Sequence, residues 1–250
     1  DLVFSALPAD LAGDVEMQCA KAGIGVCSNA STYRMEPDVP LVVPEVNADH
    51  LGMIDLQRDK GTDGFIVTNP NCSTIQAVVV LKPLHDKYHI KRIVYSTYQA
   101  VSGAGMEGYR DLENGLAGQP PKKFPYPIAG NLLPHIDVFT ENGYTKEELK
   151  MINETRKILH DQNLRITATT VRVPVFNSHS ESINVEFEKP FDLEDLKNTL
   201  KEAPGIIVQD DPANNIYPMP ITASGRDEVF VGRIRRDESV ESGVNLWVVA

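Results

Sequence analysis

The stretch Asn69-Pro-Asn-Cys-Ser-Thr-Ile75 constrains the fold more than any other part of the chain. Upstream, Gly64-Phe-Ile-Val-Thr68 is short, apolar and β-branched, bounded by glycine and proline, the pattern of a buried strand. Downstream, an apolar run from Ile75 continues to about Tyr88, too long for one strand, with Ser73 and Thr74 at its head as helix-start residues. Cys72 therefore falls where a strand hands over to a helix, at or beside the helix N-terminus. Unpaired amides and the positive end of the helix dipole stabilise an anion there, which lowers the pKa of a cysteine so placed. A lone cysteine is more often a small buried hydrophobe. The polar neighbours Asn71, Ser73 and Thr74 favour a nucleophilic thiolate instead.

The chain before this junction repeats the theme. Residues 1–6 read as a strand, Leu7-Pro-Ala-Asp10 as a turn into a helix reaching about Ala22, with Asp10 a candidate cap, and residues 23–28 as a second strand. Strand, helix, strand at this spacing is a βαβ unit and implies a parallel sheet. Ligands of such sheets gather beyond the carboxyl ends of the strands. Ser5 and Ala6, the loop of residues 28–34, and residues 69–72 all fall at such ends. Arg34, in a loop with no other positive charge, is either a solvated arginine or an anion ligand. Residues 36–63 carry prolines and read as loop and short helix.

After the Cys72 helix, residues 91–99 alternate like a strand and end in Gln99-Ala-Val-Ser-Gly-Ala-Gly105, a small-residue loop that lets a backbone approach a ligand closely. Residues 118–131, with Pro120, Pro121, Pro125 and Pro127, read as a connector. Thr145-Lys-Glu-Glu148 is a capping-box pattern whose helix runs to about Asp161, with Met151, Ile152, Ile158 and Leu159 on its buried face. Glu154 and Lys157, three apart on that helix, read as a surface ion pair. A long strand over residues 165–174 carries Arg172, and His179 follows in a loop as the leading acid/base partner for a thiolate among six histidines. Residues 183–187, 205–208, 229–234 and 244–249 read as strands and residues 193–203 as a helix. Many strands and few helices predict a mixed or largely antiparallel sheet, with the domain boundary just after residue 71.

Composition narrows the function. At 250 residues and 42% hydrophobic, the chain can bury one or two cores. A net charge of −11 argues against a nucleic-acid partner, and no apolar run suits a membrane. Three cysteines, irregularly spaced, give neither a disulfide framework nor a zinc pattern, so a reducing, cytoplasmic setting is expected and no metal. The chain opens without methionine in an apolar run and stops in a strand-like segment, which reads as a piece of something longer.

At Asn71-Cys-Ser-Thr, Ser96-Thr-Tyr-Gln-Ala-Val-Ser-Gly-Ala-Gly105, Arg172-Val-Pro with His179-Ser-Glu-Ser, and Val231-Gly-Arg-Ile-Arg235, the sequence resembles the aspartate-β-semialdehyde dehydrogenase family. Pro40-Leu-Val-Val-Pro-Glu-Val-Asn-Ala-Asp49 and Pro134-His-Ile-Asp-Val-Phe-Thr140 extend the resemblance along essentially the whole chain. It implies an α/β fold: a partial Rossmann-type dinucleotide-binding domain over residues 1–71 and an α+β catalytic and dimerisation domain with a mixed sheet over residues 72–250. It implies NADPH-dependent reductive dephosphorylation of L-aspartyl-4-phosphate to aspartate semialdehyde, early in lysine, threonine and methionine synthesis, by a homodimer or homotetramer. Carried over by motif, Cys72 is the nucleophile that becomes an acyl-thioester, His179 the acid/base and Gln99 a positioning group. Arg172 clamps the substrate carboxylate, Glu154 holds its ammonium, and Arg34, Asn71 and Lys157 bind phosphate. Ser5, Ala6, Asn29, Ser102 and Gly103 line the NADP site. The family's opening Gly-x-x-Gly-x-x-Gly turn and closing helix are not in this sequence, so an incomplete cofactor site is expected. Alternatives are an N-acetylglutamyl-phosphate or malonyl-CoA type reductase, or a non-catalytic dimerisation or thiol-redox module.

Overall fold

The computed structural model describes residues 1–250, which divide into two compact units: Asp1–Val78 with Asn153–Asn163, and Val79–Ile152 with Leu164–Ala250. The sequence reading drew its boundary at residue 71. The compact units part inside a helix, and the first takes in a segment from the middle of the chain.

In the first unit, β1 (Leu2–Ser5), β2 (Gly25–Ser28) and β3 (Phe65–Thr68) form a three-stranded parallel sheet in that order. Ser5 pairs with Ser28 and Ser28 with Thr68, so the three carboxyl ends are level and their loops form one rim. Helix α1 (Ala9–Lys21) buries Ala12, Glu16 and Ala20 at four-residue spacing. Its first turn differs from expectation. The cap position is Pro8, with no side-chain cap bond, and Asp10 lies inside the helix, where its charge favours the N-terminus. Ala20, Val26, Val39 and Ile66 form the core, covered by Met17, Cys19 and Tyr33. Gly64 precedes β3 because a Cβ there would lie 2.3 Å from the Ile24 carbonyl. Between β2 and β3 the chain forms short helices, α2 (Pro44–Asn47) and α3 (Ile54–Asp59), joined by a 3-10 helix over Ala48–Met53.

Helix α4 (Cys72–Tyr88) begins at the cysteine itself. Asn71 is its cap, with Oδ1 accepting from Ser73 N at 3.0 Å and Thr74 N at 3.3 Å. Ser73 and Thr74 are thus the second and third helical residues, fully buried, and not the helix-start residues expected from the sequence.

The second unit is built on a six-stranded mixed sheet of β4 (Ile90–Gln99), β5 (Arg165–Arg172), β6 (Ser180–Phe187), β7 (Ile206–Val208), β8 (Val229–Arg236) and β9 (Gly243–Val249), in the order β5-β4-β6-β9-β8-β7. β4 runs parallel to β5 and β7 to β8, and the other pairs are antiparallel. Alternation buries Ile93, Tyr95, Thr97 and Gln99 on one face of β4. Helix α5 (Gly105–Leu116), which the sequence had not announced, follows β4 and buries Gly108, Asp111 and Leu112. The capping box at the head of α6 (Lys146–Ile158) is formed, with Thr145 N donating to Glu148 Oε2 at 2.8 Å and Glu148 N to Thr145 Oγ1 at 3.3 Å. No helix is long and apolar enough to cross a membrane.

Candidate active site

Cys72 is exposed at the first position of α4. The amides of that turn and the helix dipole favour an anion at its sulfur. The peptide before it is fixed by the rest of the first unit: Asn71 N donates to Glu154 Oε2 at 2.6 Å. Glu154 Oε1 in turn takes Arg34 Nη1 at 3.1 Å, both side chains being almost fully buried. Arg34 Nη2 also holds the Asn29 carbonyl at 2.8 Å. Four of the expected substrate residues, Arg34, Asn71, Glu154 and Lys157, are therefore neighbours within one unit.

Their pairing differs from the surface ion pair read between Glu154 and Lys157. Lys157 Nζ donates instead to the carbonyls of Arg34, Glu36 and Val39, at 2.7, 2.7 and 2.8 Å. An ammonium has three N–H donors, so these carbonyls account for all of them. Burial pulls the Lys157 pKa below its ordinary value, opposed by the charges of Glu36, Asp38 and Glu154. Its charge clamps the loop that carries Arg34.

On the rim of the three-stranded sheet a cleft of about 560 Å³ is lined by Ser5, Ala6, Asn29 and Asn69 over an apolar floor that includes Val42 and Val67. Asn69 Nδ2 donates to Asn29 Oδ1 at 2.9 Å across it. Beneath, Glu16 takes hydrogen bonds from Ser5 Oγ at 2.6 Å and Ser28 Oγ at 2.7 Å, both on its Oε1. Glu16 went unremarked in the sequence, although a glutamate in step with buried Ala12 and Ala20 was the available signal.

In the second unit, register gathers the remaining residues. Gln99 pairs with Arg172 at the ends of β4 and β5, and Ser180, opposite Tyr98, brings His179 alongside. The His179 backbone is clipped to Ala250 by two hydrogen bonds, 2.8 and 3.1 Å. Ala100 N donates to His179 Nδ1 at 2.9 Å, and Arg172 Nη1 donates to Ala100 O at 2.7 Å. Burial first, and then the Arg172 charge, bring the His179 pKa down to about 4 against the opposing charge of Glu147. Gln99 Oε1 accepts from Thr97 Oγ1 at 2.9 Å, and its Nε2 donates to Glu147 Oε1 at 3.1 Å. Glu147, buried in the first turn of α6, was also missed, because an acidic residue at a helix start is ordinary. Ser102 and Gly103 lie in the turn after β4, and a Cβ on Gly103 would stand 2.9 Å from Arg172 Nη1 and 3.2 Å from His179 Nε2.

Comparison with known proteins gives these clusters a context. Residues 1–54 match the family described as semialdehyde dehydrogenase, NAD binding domain, and residues 81–250 the semialdehyde dehydrogenase dimerisation domain. An aspartate-semialdehyde dehydrogenase of Aquifex aeolicus is 57% identical over 238 residues, covering 92% of this chain and 68% of the relative. The crystal structure of aspartate semialdehyde dehydrogenase II from Vibrio cholerae complexed with ASA superposes at TM-score 0.92 with 41% identity, covering 100% of this chain and 73% of that one. The enzyme with NADP from Candida albicans gives 0.78 at 32% identity, with 100% and 72% coverage.

Proposed function

Because the chain belongs to the aspartate-semialdehyde dehydrogenase family, whose members are oxidoreductases with a nicotinamide-binding domain, we propose that it makes aspartate semialdehyde from L-aspartyl-4-phosphate with NADPH, through an acyl-thioester on Cys72, for lysine, threonine and methionine synthesis. The observation that carries this reading is Cys72 at the start of an Asn71-capped helix, next to a peptide held by the buried Glu154–Arg34 pair.

The Cys72 thiolate attacks the acyl carbon, a C–S bond forms, and the C–O bond to phosphate breaks with its electron pair leaving on phosphate. Arg34 and Asn71 supply donors suited to that phosphate, with the Lys157 charge behind them. Arg172 presents a planar fork to the substrate carboxylate. Glu154 is the carboxylate assigned to the ammonium, for which it exchanges a protein partner. That buried carboxylate favours a substrate with a free amine over N-acetylglutamyl phosphate or malonyl-CoA. His179 and Gln99 address the carbonyl oxygen. Ser5, Ala6 and Asn29, with Ser102 and Gly103, are assigned to the cofactor, which supplies the hydride. NADP is favoured by the Candida albicans relative, and the dimerisation-domain match supports assembly into a homodimer or higher oligomer.

Cys72→Ser tests the reading. Turnover should be lost with the melting temperature unchanged, because an alcohol is far less ionised than a thiol at neutral pH. In the wild type, Cys72 should alkylate quickly and be protected by phosphate. More than a few per cent of residual rate in the serine variant refutes the nucleophile.

A further inference from the structure

We infer that Glu147 and Lys150 are positioning residues of the reaction: Glu147 turns the Gln99 amide to present an N–H, and Lys150 keeps Glu147 ionised so that it can. The inference rests on the proposed function for the place of Gln99 at the carbonyl oxygen, and on hydrogen bonds within the second unit for the rest.

A buried glutamine amide can be held in either of two orientations, and its neighbours decide which. Thr97 and Gln99 stand two residues apart on the buried face of β4, and Thr97 Oγ1 lies 2.9 Å from Gln99 Oε1. A hydroxyl can donate or accept, so this contact alone would tolerate both orientations. Glu147 does not. An ionised carboxylate only accepts, so the Gln99 atom 3.1 Å from Glu147 Oε1 is the nitrogen. Thr97 is then the donor to Gln99 Oε1. One Nε2–H is taken by Glu147, and the second is the donor that Gln99 brings to a ligand. A donor fixed in advance is what a carbonyl oxygen gathering negative charge requires. Turned over, the same side chain would set its own oxygen against that charge.

This holds only while Glu147 is ionised, and burial, at 6% exposure, works against that. Lys150 supplies the counter-charge. Its Nζ lies 3.4 Å from Glu147 Oε2, the oxygen that Gln99 does not use, and 2.8 Å from Asp137 Oδ2. Burial pulls the Lys150 pKa down, but the hydrogen bond to Asp137 and the Glu147 charge outweigh it and leave the pKa above its ordinary value. Asp137 is itself set in place by its backbone, in the left-handed region at φ 65°, with Oδ1 accepting Val138 N at 2.8 Å. Glu147 also acts on His179, where its charge opposes that of Arg172. Asp137, Lys150, Arg172 and His179 are thus the charged and titratable groups around the carboxylate.

The orientation is read on protein carrying 15N-labelled glutamine. One side-chain amide proton of Gln99 should be shifted downfield and protected from exchange; Glu147→Ala should abolish both effects and Cys72→Ser neither. In turnover, Glu147→Ala should lower kcat about 10²-fold with KM changed less than about threefold, and should cost nothing further in a Gln99→Ala background. Glu147→Gln, which keeps an acceptor oxygen, should recover to within about tenfold of wild type. Lys150→Met should add an acid-side loss of kcat between about pH 5 and 7, as Glu147 takes a proton and the Gln99 amide turns over. The wild type and the double variant Lys150→Met/Glu147→Gln should lack that ionisation, which a purely structural role would not create. Gln99 signals indifferent to Glu147→Ala, additive losses with Gln99→Ala, a glutamine variant no better than alanine, or a Lys150→Met profile like that of the wild type overturns the positioning role. A fully active Gln99→Ala enzyme overturns something different, the place of Gln99 in the proposed reaction, whatever holds its amide.

Discussion

Replacing Glu154 by glutamine removes one charge and almost no volume, so its cost isolates the electrostatics of the buried cluster. Glu154 Oε2 accepts Asn71 N at 2.6 Å and Oε1 accepts Arg34 Nη1 at 3.1 Å. A glutamine can offer its carbonyl oxygen to one of these donors only, and must turn its NH₂ against the other. One charge-assisted hydrogen bond is worth about 1.5–3 kcal/mol, and a buried donor left unsatisfied costs about 1–3 kcal/mol more. Breaking a buried ion pair typically costs about 3–5 kcal/mol. Arg34 retains the Asn29 carbonyl at 2.8 Å, which places Glu154→Gln at the lower end, about 3 kcal/mol. For a chain of this size that lowers the melting temperature by about 6–12 °C. Thermal melts and urea titration of the wild type and variant measure it. A shift below about 2 °C would show that the pair contributes no more than an exposed one, and the account of the cluster would be wrong.

Gly103→Ala should lower kcat/KM about 10²-fold with little change in melting temperature, since its Cβ would displace Arg172 Nη1 from 2.9 Å and His179 Nε2 from 3.2 Å; a wild-type rate would show that neither group needs its position. Arg172→Lys keeps the charge but loses both the fork and the geometry at Ala100 O, and should cost about 2–4 kcal/mol of transition-state stabilisation in kcat/KM. The folded-state pKa of His179, about 4, lies below the unfolded value of 6.5, so between them the unfolded chain binds more protons and acid favours unfolding. Stability should fall by about 3 kcal/mol as pH drops from 7 to 4 on this account, and urea midpoints of His179→Asn should lack that slope.

The elements that local sequence determines were legible. A β-branched run between glycine and proline gave β3, the long apolar run gave α4, and Thr145 with Glu148 gave the head of α6. What escaped has physical reasons. Helix α5 holds Gly105, Gly108 and Gly115 among twelve residues, which weakens any helical propensity reading. It is secured from outside, by Asp111 accepting the amides of Lys122, Lys123 and Phe124. The partner of Glu154 was misread because the sequence offers Lys157 three residues on, whereas the actual partner, Arg34, is 120 residues away. The hydrogen bond from Ala100 N to His179 Nδ1 was invisible for a different reason: it is made by a backbone amide, and alanine at position 100 announces nothing. The list of candidate residues was available from motifs, but the hydrogen bonds that decide their protonation were not.

The recruitment of Asn153–Asn163 into the first unit has a consequence for how the protein is made. On a ribosome, Arg34 and Asn71 emerge long before the carboxylate that satisfies them, which follows 120 and 83 residues later. At ordinary elongation rates that is a wait on the order of ten seconds. Throughout it the nascent parallel sheet has neither Glu154 to hold the peptide before Cys72 nor Lys157 to gather the carbonyls of Arg34, Glu36 and Val39. The nucleophile's surroundings are thus completed only after the strand β4 and helix α5 of the other unit have already been synthesised, and the thiol acquires its setting late in the birth of the chain.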